Sequence, residues 1–340
     1  MDINELRKQI NEIDDQLVDL FVNRMQVSAQ IGEYKLQNGM NVRDPEREAE
    51  ISHKLSEKCE ALFSPFVQAL YSEIFDLSRM LQNQLHEISA IEYGLIGNDI
   101  SSSYDKWIHH SFGNQSYGLY DLSEELLPLL FKKKAFKGLN ISHPYRKDVI
   151  SYCDRLDPVA EEIGYVNTIV KEADGTLTGY NTAYDGFLCA ADKAGIDFSG
   201  KKVMVFGNGA FASCAVKAAR DRGAREVIIV TRTGKDNFRN CTQHKDTDIL
   251  INGTSIGMAP KEDFSPADLD SFPNLCGLLD AVFTPVDSKL ICAARERGIP
   301  CENGLSILIE KSAKASSLFG FEPDRNTCSD LYDELTSFID

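Results

Sequence analysis

Lys202-Val203-Met204-Val205-Phe206-Gly207-Asn208-Gly209-Ala210-Phe211-Ala212 reads as an apolar strand running into a G-x-G-x-x-A turn. A helical pattern follows to Arg222, and a second apolar strand runs from Glu226 to Thr231. Strand, glycine turn, helix and strand in that order form the setting in which the motif holds a dinucleotide, because the glycines let backbone N–H groups approach a pyrophosphate at the helix start. Gly207, Asn208, Gly209, Ala210, Phe211 and Ala212 are therefore candidate cofactor-binding positions. The second strand ends Val230-Thr231-Arg232-Thr233, with an arginine where an NAD site carries an acid. That favours the 2'-phosphate of NADP and adds Thr231, Arg232 and Thr233 to the set. The bland alternative is a unit of the same shape that binds no nucleotide, since fold does not fix function.

Outward from this unit, further strands are predicted at Tyr93 to Ile96, Ser116 to Leu119, Gly138 to Ile141, part of Ala160 to Ile169, Ile249 to Asn252 and Gly277 to Asp280. Helical patterns alternate with them, which predicts α/β layers with parallel sheets.

The first 85 or so residues read differently. Leu6, Ile10, Ile13, Leu17, Leu20, Val27 and Ile31 step by three and four residues, the apolar seam of one long helix. Arg24 falls on that seam with no acid one turn away, a costly position unless an anion meets it. Lys35, at about 100° per residue, lies some 20° from it round the helix, whereas Arg7 lies about 100° off, does not easily join them within one straight helix, and could join from a second copy. A helix from Leu6 to Leu36 would be roughly 45 Å long, too long for one segment to bury, so an intertwined helical homodimer is expected. Asp44 and Pro45 open the next helix as N-cap and first helical residue, and place Arg47 and Glu48 on one side. A third helix, from Pro65 to about Gln84, carries Ser78 and Gln82 one turn apart. Cations and hydrogen-bonding groups without a nucleophile suit a reaction that clamps a flexible dianion and stabilises charge developing on an oxygen.

In residue type and spacing this segment resembles the all-helical chorismate mutases. The resemblance implies that Arg24 and the partner copy's Arg7 hold two substrate carboxylates and that Lys35 and Gln82 contact the ether oxygen. It implies further that Asp44, Arg47 and Glu48 position the ring hydroxyl and brace the site, and that Ser78 helps with a carboxylate. It requires no cofactor for the mutase, and its substrate is chorismate.

Residues 93 to about 320 resemble shikimate dehydrogenases through Tyr93-Gly94-Leu95-Ile96-Gly97-Asn98, Gly138-Leu139-Asn140-Ile141-Ser142-His143-Pro144-Tyr145, Gly164-Tyr165-Val166-Asn167-Thr168, Gly179-Tyr180-Asn181-Thr182, Asn252-Gly253-Thr254-Ser255-Ile256-Gly257-Met258 and Asn303-Gly304-Leu305. Ser103, Asn140, Ser142 and Asn167 match the substrate shell. Departures fall on the working residues: Arg146 stands at the catalytic lysine, Ala183 at the catalytic aspartate, Asp105 at a carboxylate-holding serine, Phe283 at a tyrosine and Lys311 at a glutamine. Arginine stays charged and relays no proton, and a carboxylate at 105 would repel a carboxylate ligand unless Lys106 or Lys311 neutralises it. Neighbouring Lys147 points elsewhere on its helix, and Asp185, three residues past Thr182, has capping-box spacing.

Thirty-six basic residues against 52 acidic ones give a net charge of -16, which argues against nucleic acid and anionic membrane surfaces as partners. No apolar run reaches the ~20 residues of a membrane span and the chain opens on charged helix, so a cytoplasmic protein is expected. The 9 cysteines show no paired spacing and the 6 histidines no metal-ligand spacing, so reduced thiols and no metal centre are expected.

The expected fold is thus multidomain. It comprises a helical mutase domain at 1–88, an α/β substrate domain at 91–195 to which helices from about 305 to 340 return, and a Rossmann-type nucleotide domain at 196–304. The expected function is conversion of chorismate to prephenate, with a second part that has lost its shikimate chemistry and is regulatory or repurposed. The alternative is a bifunctional enzyme with NADP-dependent dehydrogenase activity on shikimate or a related polyol acid; a third reading makes the large part a sensor that tunes the mutase.

Overall fold

The computed structural model describes residues 2–339 and falls into two compact units, dividing after Ile91. The first is three helices: α1 (Ile3–Gln37), α2 (Pro45–Ser56) and α3 (Ser64–Ala90). Asp2 caps α1, and Asp44 caps α2 by accepting from Arg47 N at 3.1 Å, with Pro45 at the start of the helix. Within the unit α1 lies along α3, and α2 packs on α3 as well.

The apolar seam of α1 is not covered by this chain. Ile13, Leu17 and Leu20 are 55%, 52% and 66% exposed, and the buried residues of α1 are Ser28 and Gly32 instead. Arg24 keeps its place in the apolar row, about 20° round the helix from Leu17 and about 40° from Ser28, and its long side chain reaches Ser78 on α3. Gly32 is needed where it stands, because a Cβ there would lie 2.8 Å from Gln82 Cγ.

The second unit holds two sheets. The first comprises β1 (Tyr93–Gly97), β2 (Tyr117–Asp121), β3 (Gly138–Ile141), β4 (Arg155–Leu156), β5 (Thr168–Lys171) and β6 (Leu177–Tyr180), in the order β2-β1-β3-β5-β6-β4. The helices between its strands are α4 (Asp105–Ser111), α5 (Leu127–Lys133) and α6 (Pro158–Ile163), and α7 (Thr182–Lys193) leads from β6 to the second sheet. The expectation of wholly parallel sheets fails here, since β5 runs antiparallel to both β3 and β6. The stretch from Ala160 to Ile169 is strand only at its end: Asp157 accepts from Val159 N, Pro158 starts α6, and Gly164 at φ +72 ends it, leaving Thr168 onward for β5.

The second sheet is parallel throughout, ordered β11-β10-β9-β7-β8 from β7 (Lys202–Phe206), β8 (Glu226–Val230), β9 (Ile249–Asn252), β10 (Gly277–Asp280) and β11 (Cys301–Glu302). Helices α8 (Ala210–Asp221) and α9 (Lys289–Glu296) cover it, and α10 (Gly304–Leu318) and α11 (Arg325–Ile339) complete the unit. Val203 and Val205 enter the core beneath α7 and α8, while Met204 and Phe206 enter the one beneath α9. Burial on both faces is what a continuous apolar strand in a parallel sheet requires. Leu305, Leu308 and Ile309 of α10 and Leu331 and Leu335 of α11 share a core with Ile108 and Phe112 around α4. No helix is long and apolar enough to cross a membrane, and among the described residues no acid, histidine or cysteine group could hold a metal.

Candidate active sites in the two units

In the helical unit the best-defined cluster lies between α1 and α3. Arg24 Nη1 donates to Ser78 Oγ at 2.8 Å, Ser78 in turn donates to Ile74 O at 2.7 Å, and the rings of Tyr71 and Phe75 lie 6.0 and 5.8 Å from the guanidinium carbon. Hydroxyl and aromatic neighbours leave the cation without an ion pair among the described residues, as an anion-binding group should be. Gln82 Nε2 donates to Ser28 Oγ at 3.0 Å, and its Oε1 is buried without a partner among the described residues. Lys35 Nζ reaches back across the turn to Val42 O at 2.6 Å, and Glu48 accepts from Arg79, which also meets Asp76. Arg47 is exposed and paired with Glu50 at 2.6 Å. Arg7 stands apart on exposed helix, about 25 Å along α1 from Arg24 at 1.5 Å per residue. Sequence reading missed Ser28 and Arg79; each lies within a turn of a named residue, and the signal was a polar residue on a helix face.

In the second unit a cavity of two lobes, about 200 and 490 Å³, shares Arg146, Asn167, Phe283, Leu308 and Lys311 between them. Ala183, Asn181, Tyr165 and Cys214 line the smaller lobe; Ser103, Asp105, Asn140 and Ser142 line the larger. The sequence-predicted pocket residues thus all reach one cavity. Asn140 Oδ1 accepts from Tyr117 OH at 2.7 Å, and Asn167 Oδ1 accepts from Thr182 N at 2.8 Å, which satisfies the start of α7. That is the capping work expected of Asp185, which instead meets Lys314 at 3.7 Å. Lys147 lies over the Tyr165 ring at 4.8 Å.

The open question at Asp105 resolves in favour of Lys311. Its Nζ lies 3.4 Å from Asp105 Oδ1, Ser103 Oγ donates to Oδ2 at 2.6 Å, and Lys106 is exposed. Burial pushes the Asp105 carboxyl up, but the Lys311 ammonium and the Ser103 hydroxyl outweigh it and hold the group below the ordinary carboxylate range. Repulsion of an incoming anion is therefore cancelled at this end of the cavity. Arg146 donates through Nε to Ile141 O at 3.1 Å, and burial lowers its pKa. Burial also pushes the Cys214 thiol up to about 12, so it stays neutral.

Behind Asn140 the imidazole of His109 is fully buried, stacked on Tyr117 at 3.9 Å with Nδ1 2.9 Å from Ser316 Oγ. Burial lowers its pKa from 6.5 to about 4. Below pH 6.5 the unfolded chain takes up this proton while the folded one does not until about pH 4, so stability falls across that window by up to about 3 kcal/mol. His109→Phe is expected to flatten that slope, read from denaturant unfolding at pH 7 and 5 by the fluorescence of Trp107; an unchanged slope would place the acid sensitivity elsewhere.

At the nucleotide turn Gly207 adopts φ +105, and a Cβ on it would lie 3.0 Å from Gly253 O; at Gly209 a Cβ would meet nothing within 4 Å, open space at the start of α8. The turn follows β7, where the strand order reverses between β8 and β9, the place where such sheets bind ligands. Ala210 and Phe211 also line the smaller lobe, so turn and cavity adjoin. Thr231 lies beyond β8 and accepts from Gly234 N at 2.9 Å, and Arg232 and Thr233 are exposed. The residues present fit a dinucleotide.

Two family models match: chorismate mutase type II over residues 6–83, and the shikimate dehydrogenase substrate binding domain over residues 95–169. A shikimate dehydrogenase (NADP(+)) of Clostridium beijerinckii is 31% identical over 246 residues, which cover 67% of this chain and 91% of that protein. Among solved structures, a chorismate mutase/shikimate 5-dehydrogenase fusion protein from Clostridium acetobutylicum superposes with a TM-score of 0.67 at 26% identity, covering 73% of this chain and 97% of that one. The shikimate 5-dehydrogenase of Thermus thermophilus in complex with NADP(H) and shikimate gives 0.63 at 26%, covering 72% and 99%. These likenesses weigh toward the bifunctional alternative and lend no support to a degenerate second part. The chain belongs to the shikimate dehydrogenase family and carries a type II chorismate mutase domain ahead of it.

Proposed function

We propose that the protein is a bifunctional enzyme: a chorismate mutase that forms prephenate without a cofactor, and an NADP-dependent dehydrogenase acting on shikimate or a related polyol acid. The observation that carries the second activity is the cavity that joins the substrate segments to the glycine turn through Ala210 and Phe211. NADP, when bound, supplies or accepts the hydride. Residues 207–212 would hold its pyrophosphate, and Thr231, Arg232 and Thr233 its 2'-phosphate. The chain's own residues bind and orient the polyol: Asn140, Ser142 and Asn167 offer hydrogen bonds, Phe283 and Leu308 exclude water, and Asp105 with Lys311 forms a compensated pair. Arg146 and Ala183 hold no group that passes a proton, so shikimate itself is expected to turn over slowly. The division 1–88, 91–195 and 196–304 is retained as the domain scheme, with a cytoplasmic location.

The test is NADP reduction with shikimate and quinate by the purified chain, with loss of chorismate absorbance in the same preparation. Chorismate loss with no NADP reduction by either acid would refute the dehydrogenase half.

The mutase half acts as a homodimer in this reading, because the seam is exposed and Arg7 is far from Arg24 in one chain. Leu17→Glu is expected to shift the sedimenting species from dimer to monomer and to lower chorismate turnover with it. A monomeric wild-type chain with full activity would refute both the dimer and the role of Arg7.

A further inference from the structure

Arg146 and Ala183 line the same lobe of the cavity, beside Asn181, Tyr165 and Cys214. Among the described residues Arg146 makes no ion pair, and its hydrogen bond to Ile141 O uses Nε, leaving the Nη side of the fork without a protein acceptor. The acid whose charge reaches it, Asp105, is already paired with Lys311. Cys214 is a neutral thiol donating to Asn181 Oδ1 at 3.3 Å, and the Asn167 carbonyl is taken by Thr182. In the other lobe Asp105 and Lys311 cancel each other, and Asp99, the further charge on that lining, is exposed at the rim. The interior therefore carries one uncompensated positive charge, at Arg146, next to a residue whose side chain is a methyl group. A partly buried guanidinium is unfavourable until an anion arrives, and its planar fork matches the two oxygens of a carboxylate.

We propose that the second unit takes a hydroxylated ring carboxylate with the carboxylate on the Arg146 fork, in the space that Ala183 leaves, and the ring hydroxyls toward the Asp105–Lys311 pair. The walls suit such a ligand: Phe211, Phe283 and Ile307 flank the ring, and Asp105 and Lys311 offer an acceptor and a donor without net charge. The inference rests on the dehydrogenase reading for the site and deepens it by fixing which end of the ligand lies where.

Titration calorimetry tests it without nucleotide, on the full chain carrying Arg24→Ala so that the mutase cation contributes nothing. The probes are shikimate, quinate, methyl shikimate and inorganic phosphate. At least one acid is expected to bind about tenfold or more tightly than the neutral ester, as a charge-assisted pair requires. Arg146→Gln and Ala183→Asp should each weaken that acid by about tenfold or more, the second because the chain's own carboxylate then fills the ligand's place, while Ala183→Ser should stay within about threefold. Trp107 fluorescence and thermal melts establish that each variant is folded. The assignment is overturned if neither acid binds, if the ester matches the acid, or if Ala183→Asp binds undiminished. Phosphate binding as tightly as the acids would overturn the carboxylate class in favour of a general anion site. Because no turnover is read, a failure of NADP reduction alongside intact acid binding would sink the dehydrogenase reading and leave this one standing.

Discussion

Arg24→Ala is expected to lower chorismate turnover by about 100-fold or more, the loss that follows when a clamp on a substrate carboxylate no longer holds the reactive geometry. The geometry argues that the effect falls on chemistry more than on folding. Arg24 is anchored by a neutral hydroxyl, Ser78 Oγ, which keeps its own bond to Ile74 O when the guanidinium is gone, so no buried charge is stranded. Arg24→Lys should recover only part of the rate, since an ammonium offers a point charge where the fork offers parallel donors. The helical signal in circular dichroism should persist in both variants. A rate in Arg24→Ala equal to that of wild type would refute the placement of the mutase site between α1 and α3, and a loss confined to KM would mean that Arg24 binds ground state and transition state alike.

How much of this was legible in the sequence depends on the range of each interaction. Local rules carried the three helices: the 3.6-residue period of α1 and the Asp44–Pro45 start of α2 depend on neighbours within one turn. What period alone could not tell was which face of α1 meets its own chain. Seven apolar residues marked the seam, yet the face buried within the unit is the small, polar one at Ser28 and Gly32, because close approach to Gln82 needs small side chains. The seam's exposure is the reason that a second copy enters the proposed function.

In the second unit the glycine turn and the parallel strands beside it were readable because each strand is a continuous apolar run. The stretch from Ala160 misled because its helix start, Asp157–Pro158, lies ahead of it, and Glu161 and Glu162 interrupt any apolar run. Strands β4 and β11, two residues each, carry too little pattern to be seen. The site residues were legible as a set through the family resemblance. Their electrostatics were not, because Asp105 and Lys311 stand 206 positions apart and only the folded chain shows that two departures from the family pattern compensate each other.

That compensation shapes the second large expected effect. Replacing Arg146 with Lys and Ala183 with Asp restores a proton-relaying pair, and acid-base groups of this kind contribute roughly 10²–10⁴ in rate. Alone, however, the two changes should recover little shikimate-dependent NADP reduction, because Asp105 bound to Lys311 still occupies the end of the cavity where the family holds the substrate carboxylate. Asp105→Ser with Lys311→Gln opens that end, and the two must change together, since removing either alone strands a partly buried charge. The four changes combined are expected to raise shikimate-dependent NADP reduction at least about 100-fold over wild type, and by more than the product of the two pairs measured separately, the non-additivity of groups that act on one ligand. Chorismate loss in the same preparations reports an intact helical unit. If the four-residue variant is no faster than wild type, the orientation argued for Arg146 and the Asp105–Lys311 pair is not what separates this cavity from shikimate chemistry. If wild type already reduces NADP as fast as that variant, Arg146 does not bar proton transfer, and the relay must run through a group outside the Arg146–Ala183 pair.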